Sequence, residues 1–151
     1  MNKNKGQENH LDFGLLTELL GYHVRLAQVS IFRDFAASLR EYDMLPTQYG
    51  TLVIIGANPG IKQTDLAWAI QLDRSTIVPL LDRLEKCGWV TRERLPSDRR
   101  TNALRLTPEG EIFLNQLTPL VRDHDRRFQE KLNKTEQNQL IKLLNKISSV
   151  A

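Results

Sequence analysis

The chain has 151 residues and a formal net charge of +3, with a pI near 9.2. That length suits one domain able to bury a core, and so small a charge does not by itself mark a nucleic-acid binder. A single cysteine excludes an internal disulfide framework and fits a reducing compartment. No apolar run reaches the ~18–20 residues that span a bilayer, and the opening MNKNKGQENH lacks the apolar centre of a signal peptide. A cytoplasmic protein without a membrane partner is expected.

Residues 1–10 are polar and read as a flexible tail. From Leu11 to about Leu39 a long helical pattern follows, with leucine, valine and phenylalanine on more than one side. It reads either as a central core helix or as a helix shared with a second subunit. The second is favoured, because the next elements are too short to cover both sides. Pro46 suits the first turn of a helix, where its missing N–H is no loss, and that helix is predicted to reach about Gly56. Asn58-Pro59-Gly60 signals a turn. Gln63 to Ile70 then reads as a short helix with Leu66, Ala67 and Ile70 inward.

Only Gln71 and Leu72 precede the next helix. Asp73 is its N-cap, with a carboxylate able to accept from the N–H of Ser75 or Thr76. Ile77, Leu80, Leu81 and Leu84 form one apolar face at i, i+3, i+4 and i+7. Ser75, Pro79, Asp82, Arg83 and Lys86 occupy the other side. Two short helices so tightly joined read as a helix-turn-helix. Gly88 suits the left-handed position that ends the second helix.

Trp89 to Leu95 and Thr101 to Leu106 have strand composition, and Pro96-Ser97-Asp98 between them supplies turn chemistry, giving a β-hairpin. Between Arg92 and Arg105 five arginines stand against Glu93 and Asp98, a local net of +3 that equals that of the whole chain. Thr107-Pro108-Glu109 is a capped helix start. Its helix is predicted to run to about Leu132 and to bend at Pro119. Asn133 to Glu136 resembles a capping box. Leu140, Leu143, Leu144 and Ile147 give the last helix an apolar stripe, for which a second copy of the chain is the economical partner.

The expected fold is mainly α (α+β): a winged helix-turn-helix lobe with a two-stranded β-wing over residues 45–107, flanked by terminal helices. Residues 11–44 and 108–151 form those helices and make a dimerisation layer, so that residues 11–151 are one domain.

The runs LPTQYGTL, DLAWAI and LDRSTIVPLLDRLEKCGWVTRERLPSDRRTNALRLTPEG resemble the MarR family of winged helix-turn-helix regulators. Likeness is close from Leu45 to Gly110, and its most specific parts are Asp98-Arg99-Arg100 and Leu106 to Gly110. The resemblance implies a homodimeric bacterial DNA-binding protein, usually a repressor, bound to a palindromic operator on nucleoid DNA. Each recognition helix, starting at Asp73, would enter a major groove, and each wing, with its tip at Ser97 to Arg100, would reach toward a minor groove. In the family the wing Asp pairs with the second Arg after it, so Asp98 would aim Arg100 into the electronegative minor groove. Two departures stand out. Gln71 occupies a turn position where the family often has Gly, and Pro79 interrupts the recognition helix on its polar side.

Several residues keep two readings. Arg74, Ser75, Thr76 and Arg83 are either a solvated helix face or DNA contacts, the arginines to phosphate or guanine; the motif favours contact. Pro79 is placed on the same face, against a thymine methyl. Tyr22, His23, Arg25 and Tyr49 lie where the family builds its effector pocket. They are either core tyrosines and surface charges or the lining of a site for an aromatic acid, free or as its coenzyme A thioester. Cys87 is a small residue at a helix end or a redox switch. His10, His23 and His124 have no metal-ligand spacing, and solvated or core histidines are the simpler reading.

A redox-responsive regulator acting through Cys87 and a winged-helix protein-interaction module are the alternatives to a ligand-responsive repressor. Enzymatic function fits worst. The sequence has no phosphate-binding glycine loop, no metal spacing and no paired nucleophile and base, so neither catalysis nor a cofactor is expected.

Overall fold

A computed structural model describes residues 11–95 and 98–148, with the side chains at 95 and 98–101 outside the described set. Among the described residues six α-helices and three strands follow one another as α1 (Leu20–Ser38), α2 (Pro46–Ala57), β1 (Ile61–Lys62), α3 (Gln63–Ala69), α4 (Arg74–Lys86), β2 (Val90–Leu95), β3 (Asp98–Leu106), α5 (Pro108–Gln129) and α6 (Lys134–Ser148).

The first helix is shorter than its apolar pattern predicts. A 3-10 turn occupies Gly14–Glu18 and Leu19 is extended at φ −90° and ψ 121°, so the α-helix starts only at Leu20. Local polar groups stabilise the break: Gly14 N–H donates to Asp12 Oδ1 at 2.8 Å, and His23 Nε2 lies 2.9 Å from the Thr17 carbonyl. Hydrophobic periodicity reports which side chains seek cover and is blind to such a change of backbone path.

The helix-turn-helix forms as expected and shows how its turn is made. Gln71 adopts a left-handed φ of +54°, a conformation that strains residues with a Cβ. Its side-chain amide donates to the Trp68 carbonyl at 2.8 Å, in addition to its backbone N–H at 3.1 Å. Both bonds serve a carbonyl that the end of α3 leaves free, and they offset part of the strain. At α4 the Asp73 carboxylate accepts from Thr76 N–H at 2.9 Å and from the Ser75 hydroxyl at 2.7 Å. The helix continues through Pro79 and ends in a Schellman motif. There Gly88, at φ +77°, donates to Glu85 O and Trp89 N–H donates to Leu84 O.

The sheet has three strands, in the order β1-β3-β2, where the sequence predicted two. Ile61 pairs with Leu104 and Lys62 with Ala103, while Gly60 N–H donates to the Leu104 carbonyl at 2.8 Å. Two residues are too few to show a period of two, so β1 has no sequence signature of its own.

Thr107 caps α5 by accepting from Gly110 N–H at 2.9 Å, and its hydroxyl donates to the Gly88 carbonyl at 2.6 Å. A Cβ built on Gly110 would sit 2.1 Å from the Trp89 carbonyl oxygen. Glycine at this position is therefore a condition of α5 packing against the start of the wing. The helix is continuous through Pro119. Asn133 and Glu136 form the reciprocal capping box at 2.8 and 3.0 Å.

One core joins the elements: Phe35 of α1 and Leu39 just past its end, Leu52 and Ile55 of α2, Leu66 of α3, Ile77, Leu81 and Leu84 of α4, Val90 and Leu104 of the wing, and Leu117 of α5. Outside it, the chain taken alone leaves Leu15, Leu16, Leu20 and Phe32 exposed near the N-terminus, with Leu140, Leu143, Leu144 and Ile147 on α6.

Candidate nucleic-acid interface

Three buried residues, Ile77, Leu81 and Leu84, fix the roll of α4 about its axis and so decide which side faces outward. Arg74, Ser75, Thr76 and Pro79 are all exposed on that outer side. Arg74 has no ion-pair partner among the described residues. The Ser75 hydroxyl, with Thr76 N–H, holds the Asp73 carboxyl below the usual aspartate range. Asp73 is therefore an ionised cap turned into its own helix, which leaves the outward face of the first turn to Arg74.

Arg83 is placed differently from the free contact residue the sequence suggests. Its guanidinium donates to Asp43 Oδ2 at 2.9 Å and to the Asp43 carbonyl at 3.4 Å, from the far end of α4 to the turn between α1 and α2. Asp43 reaches it from a left-handed backbone at φ +47°.

The arginine cluster of the hairpin also divides. Arg92 pairs with Asp82 and lies 3.7 Å from Glu85, clamping β2 to the recognition helix. Arg105 lies 3.6 Å from Glu93 and packs over Gly60. Arg94 is exposed, without an ion pair among the described residues. The backbone of Asp98, Arg99 and Arg100 belongs to β3, while the expected Asp98–Arg100 pairing lies outside the described residues. The focused charge of the sequence is thus partly paired: two of its five arginines have carboxylate partners within the fold.

The four residues assigned to an effector pocket fall into separate groups. Tyr22 packs against Phe13 and His23, with ring centroids at 6.3 and 5.7 Å, and Arg25 is exposed nearby on α1. Tyr49 instead faces inward, 6.2 Å from the Phe35 ring, with its hydroxyl 3.4 Å from Thr118 Oγ1. No described contact joins the two groups. Cys87 is exposed at the end of α4, and no group of three metal-ligating side chains occurs among the described residues.

One polar cluster escapes the sequence altogether. His124 of α5 is 4% exposed. It donates from Nδ1 to Asp34 Oδ2 of α1 at 2.6 Å, between the Phe35 and Phe128 rings. Arg127 donates to the same oxygen at 2.6 Å and also to Ser38. Arg127 first, then His124, holds the Asp34 carboxyl below its usual range. The partners stand some ninety residues apart in sequence, and no local spacing announces them.

Against known proteins, residues 45–101 match the model of the MarR family. The putative transcriptional regulatory protein for the hcr operon of Thauera aromatica is 35% identical over 97% of this chain and 92% of its own length. The transcriptional repressor CouR bound to a 23-mer DNA duplex superposes with a TM-score of 0.86 at 37% identity, covering 91% of this chain and 98% of that one. CouR bound to p-coumaroyl-CoA gives a TM-score of 0.86 at 33% identity, covering 93% and 99%. With a relative this similar over nearly its whole length, the chain belongs to the MarR family.

Proposed function

We propose that this chain is a sequence-specific, double-stranded DNA-binding transcriptional regulator, a repressor released from a palindromic operator by a small-molecule effector. The observation that carries this reading is the exposed face of α4, Arg74, Ser75, Thr76 and Pro79, set beside the wing strands. In this reading α4 enters the major groove, Arg74 meets phosphate or guanine, Ser75 and Thr76 meet base edge or phosphate, and Pro79 packs on a thymine methyl. Arg83 joins them as a phosphate contact. Its pair with Asp43 is exposed on both sides, and such pairs are weak enough for a phosphate to displace. Asp98, Arg99 and Arg100 form the wing contact with the minor groove.

The chain acts as a homodimer whose terminal helices cover one another's exposed leucines, which sets two recognition helices against successive half-sites. Residues 11–44 and 108–151 then serve dimerisation and residues 45–107 serve DNA. The effector is an aromatic acid or its coenzyme A thioester, the second class supported by the p-coumaroyl-CoA complex of CouR. Tyr22, His23, Arg25 and Tyr49 are the residues assigned to it. Bound ligand favours a spacing of the two DNA-binding lobes that misses successive grooves. The protein works in the cytoplasm, and among the described residues no helix is long and apolar enough to cross a membrane. Its role is regulation, not catalysis.

A footprint on the chain's own upstream DNA, repeated with a panel of aromatic acids and their thioesters, tests this reading. A protected palindrome that one ligand class releases is the expected result. A footprint unchanged by every member of the panel rejects the effector class, and no protected site rejects the operator.

A further inference from the structure

A groove of about 500 Å³ opens between α3, the start of α4 and β3. Its polar rim is Gln63 and Thr64 of α3, Arg74 of α4 and Asn102 of β3, and Ile77 lies at its floor. No carboxylate lines it among the described residues. The nearest acids in sequence are engaged locally: Asp73 caps α4, and Asp65 lies 3.5 Å from the Thr64 hydroxyl. At the edge stands Trp68, 77% exposed, the most exposed large hydrophobic side chain among the described residues.

An indole left in water forgoes the burial that a side chain of this size normally gains. Trp68 stands in a mixed lining: Ala67, Leu72 and Ile77 make its apolar part, and two amides, a hydroxyl and a guanidinium its polar part. Donors with one cation and no lining anion suit a phosphate, and an adjoining flat apolar ring suits a deoxyribose. A nucleic-acid strand alternates those two groups.

We propose that this groove seats one strand of the DNA backbone flanking the half-site, with Trp68 packed on a deoxyribose at its outer edge. The inference rests on the DNA-binding reading above and extends its interface from α4 onto α3 and Asn102. Continuity supports DNA as the occupant, since Arg74 belongs both to the groove and to the exposed face of α4. Trp68 neutralises no phosphate, so it adds affinity without adding counterion release.

The test pairs gel-shift salt titrations with hydroxyl-radical footprinting of the upstream duplex, using wild type, Trp68→Ala, Trp68→Phe and Arg74→Ala. Trp68→Ala is expected to weaken binding about five- to tenfold, as loss of a packed aromatic contact does. Its melting temperature and the slope of log affinity against log salt should stay at wild-type values. Arg74→Ala should instead flatten that slope by about 0.9. In the footprint, Trp68→Ala should restore cleavage at flanking sugars while the central protection remains, with Trp68→Phe in between. Wild-type affinity and an unaltered footprint for Trp68→Ala overturn the groove and leave the DNA-binding reading intact. If the wild type protects no site on any upstream duplex, the reading itself falls and the groove with it.

Discussion

Arg83 donates to Asp43 Oδ2 at 2.9 Å and so ties the C-terminal half of the recognition helix to the turn that follows α1. Only Nη2 of the guanidinium is engaged by Asp43, and the carboxylate competes with an approaching phosphate for that group. A carboxylate beside the face of α4 also repels an approaching backbone. Asp43→Asn keeps a side chain that tolerates the left-handed backbone of this turn and removes the charge. It is expected to tighten operator binding several-fold at low ionic strength, the gain shrinking as salt rises, with little change in melting temperature. A gel-shift series over salt concentration measures this, and weaker binding by Asp43→Asn would show that Asp43 positions Arg83 for DNA instead of competing for it.

Gly110 tests whether the wing and α5 are one packed unit. Its Cβ position lies 2.1 Å from the Trp89 carbonyl oxygen, a backbone atom that cannot rotate away. Gly110→Ala gains helix propensity yet forces the start of α5 off the wing. The expected net loss is roughly 3 kcal/mol, the upper end of the cost of overpacking. Urea denaturation reads the loss directly, and stability equal to wild type would refute the contact.

The Asp34 cluster gives the fold an acid limit. A carboxyl whose folded pKa is lowered contributes stability that is present above its unfolded pKa and is lost as pH falls through the folded value. Arg127 and His124 both act in that direction on Asp34. Denaturation midpoints of the wild type should therefore fall on acidification below the ordinary aspartate range, and Asp34→Asn should flatten part of that fall. At neutral pH Asp34→Ala leaves the buried His124 Nδ1 without its acceptor, a loss of about 1–3 kcal/mol. Urea titrations of the three proteins at neutral and acid pH check both statements; parallel acid limbs would remove the cluster from the stability account.

What could be read from the sequence follows a physical division. Caps and C-caps depend on neighbours three or four residues away, so Asp73, Gly88, Thr107 and Asn133 announced their helix ends correctly. The apolar face of α4 likewise repeats within one helix, and Ile77, Leu81 and Leu84 are buried as their spacing required. Pairings across the fold carry no such signal. Arg92 counted toward the focused charge of the hairpin because its own charge is visible in sequence and its partners on α4 are not. Arg83 with Asp43 and His124 with Asp34 were hidden for the same reason. The two-residue β1 and the extended Leu19 fail on length: neither is long enough to contain a period. The family resemblance reached the lobe as a whole, and Gln71 shows its limit, since the glycine-like backbone survives with a different residue supporting it.

The proposed function requires the outer face of α4 and its wing to act as one DNA-reading surface. Footprinting of the upstream duplex at fixed salt, with wild type, Arg74→Ala and Arg100→Ala side by side, tests it most directly. Wild type is expected to protect two half-sites about one helical turn apart, with both variants losing at least ~1 kcal/mol of binding while keeping their melting temperatures. Wild-type protection by both variants, or binding that ignores sequence, would contradict it.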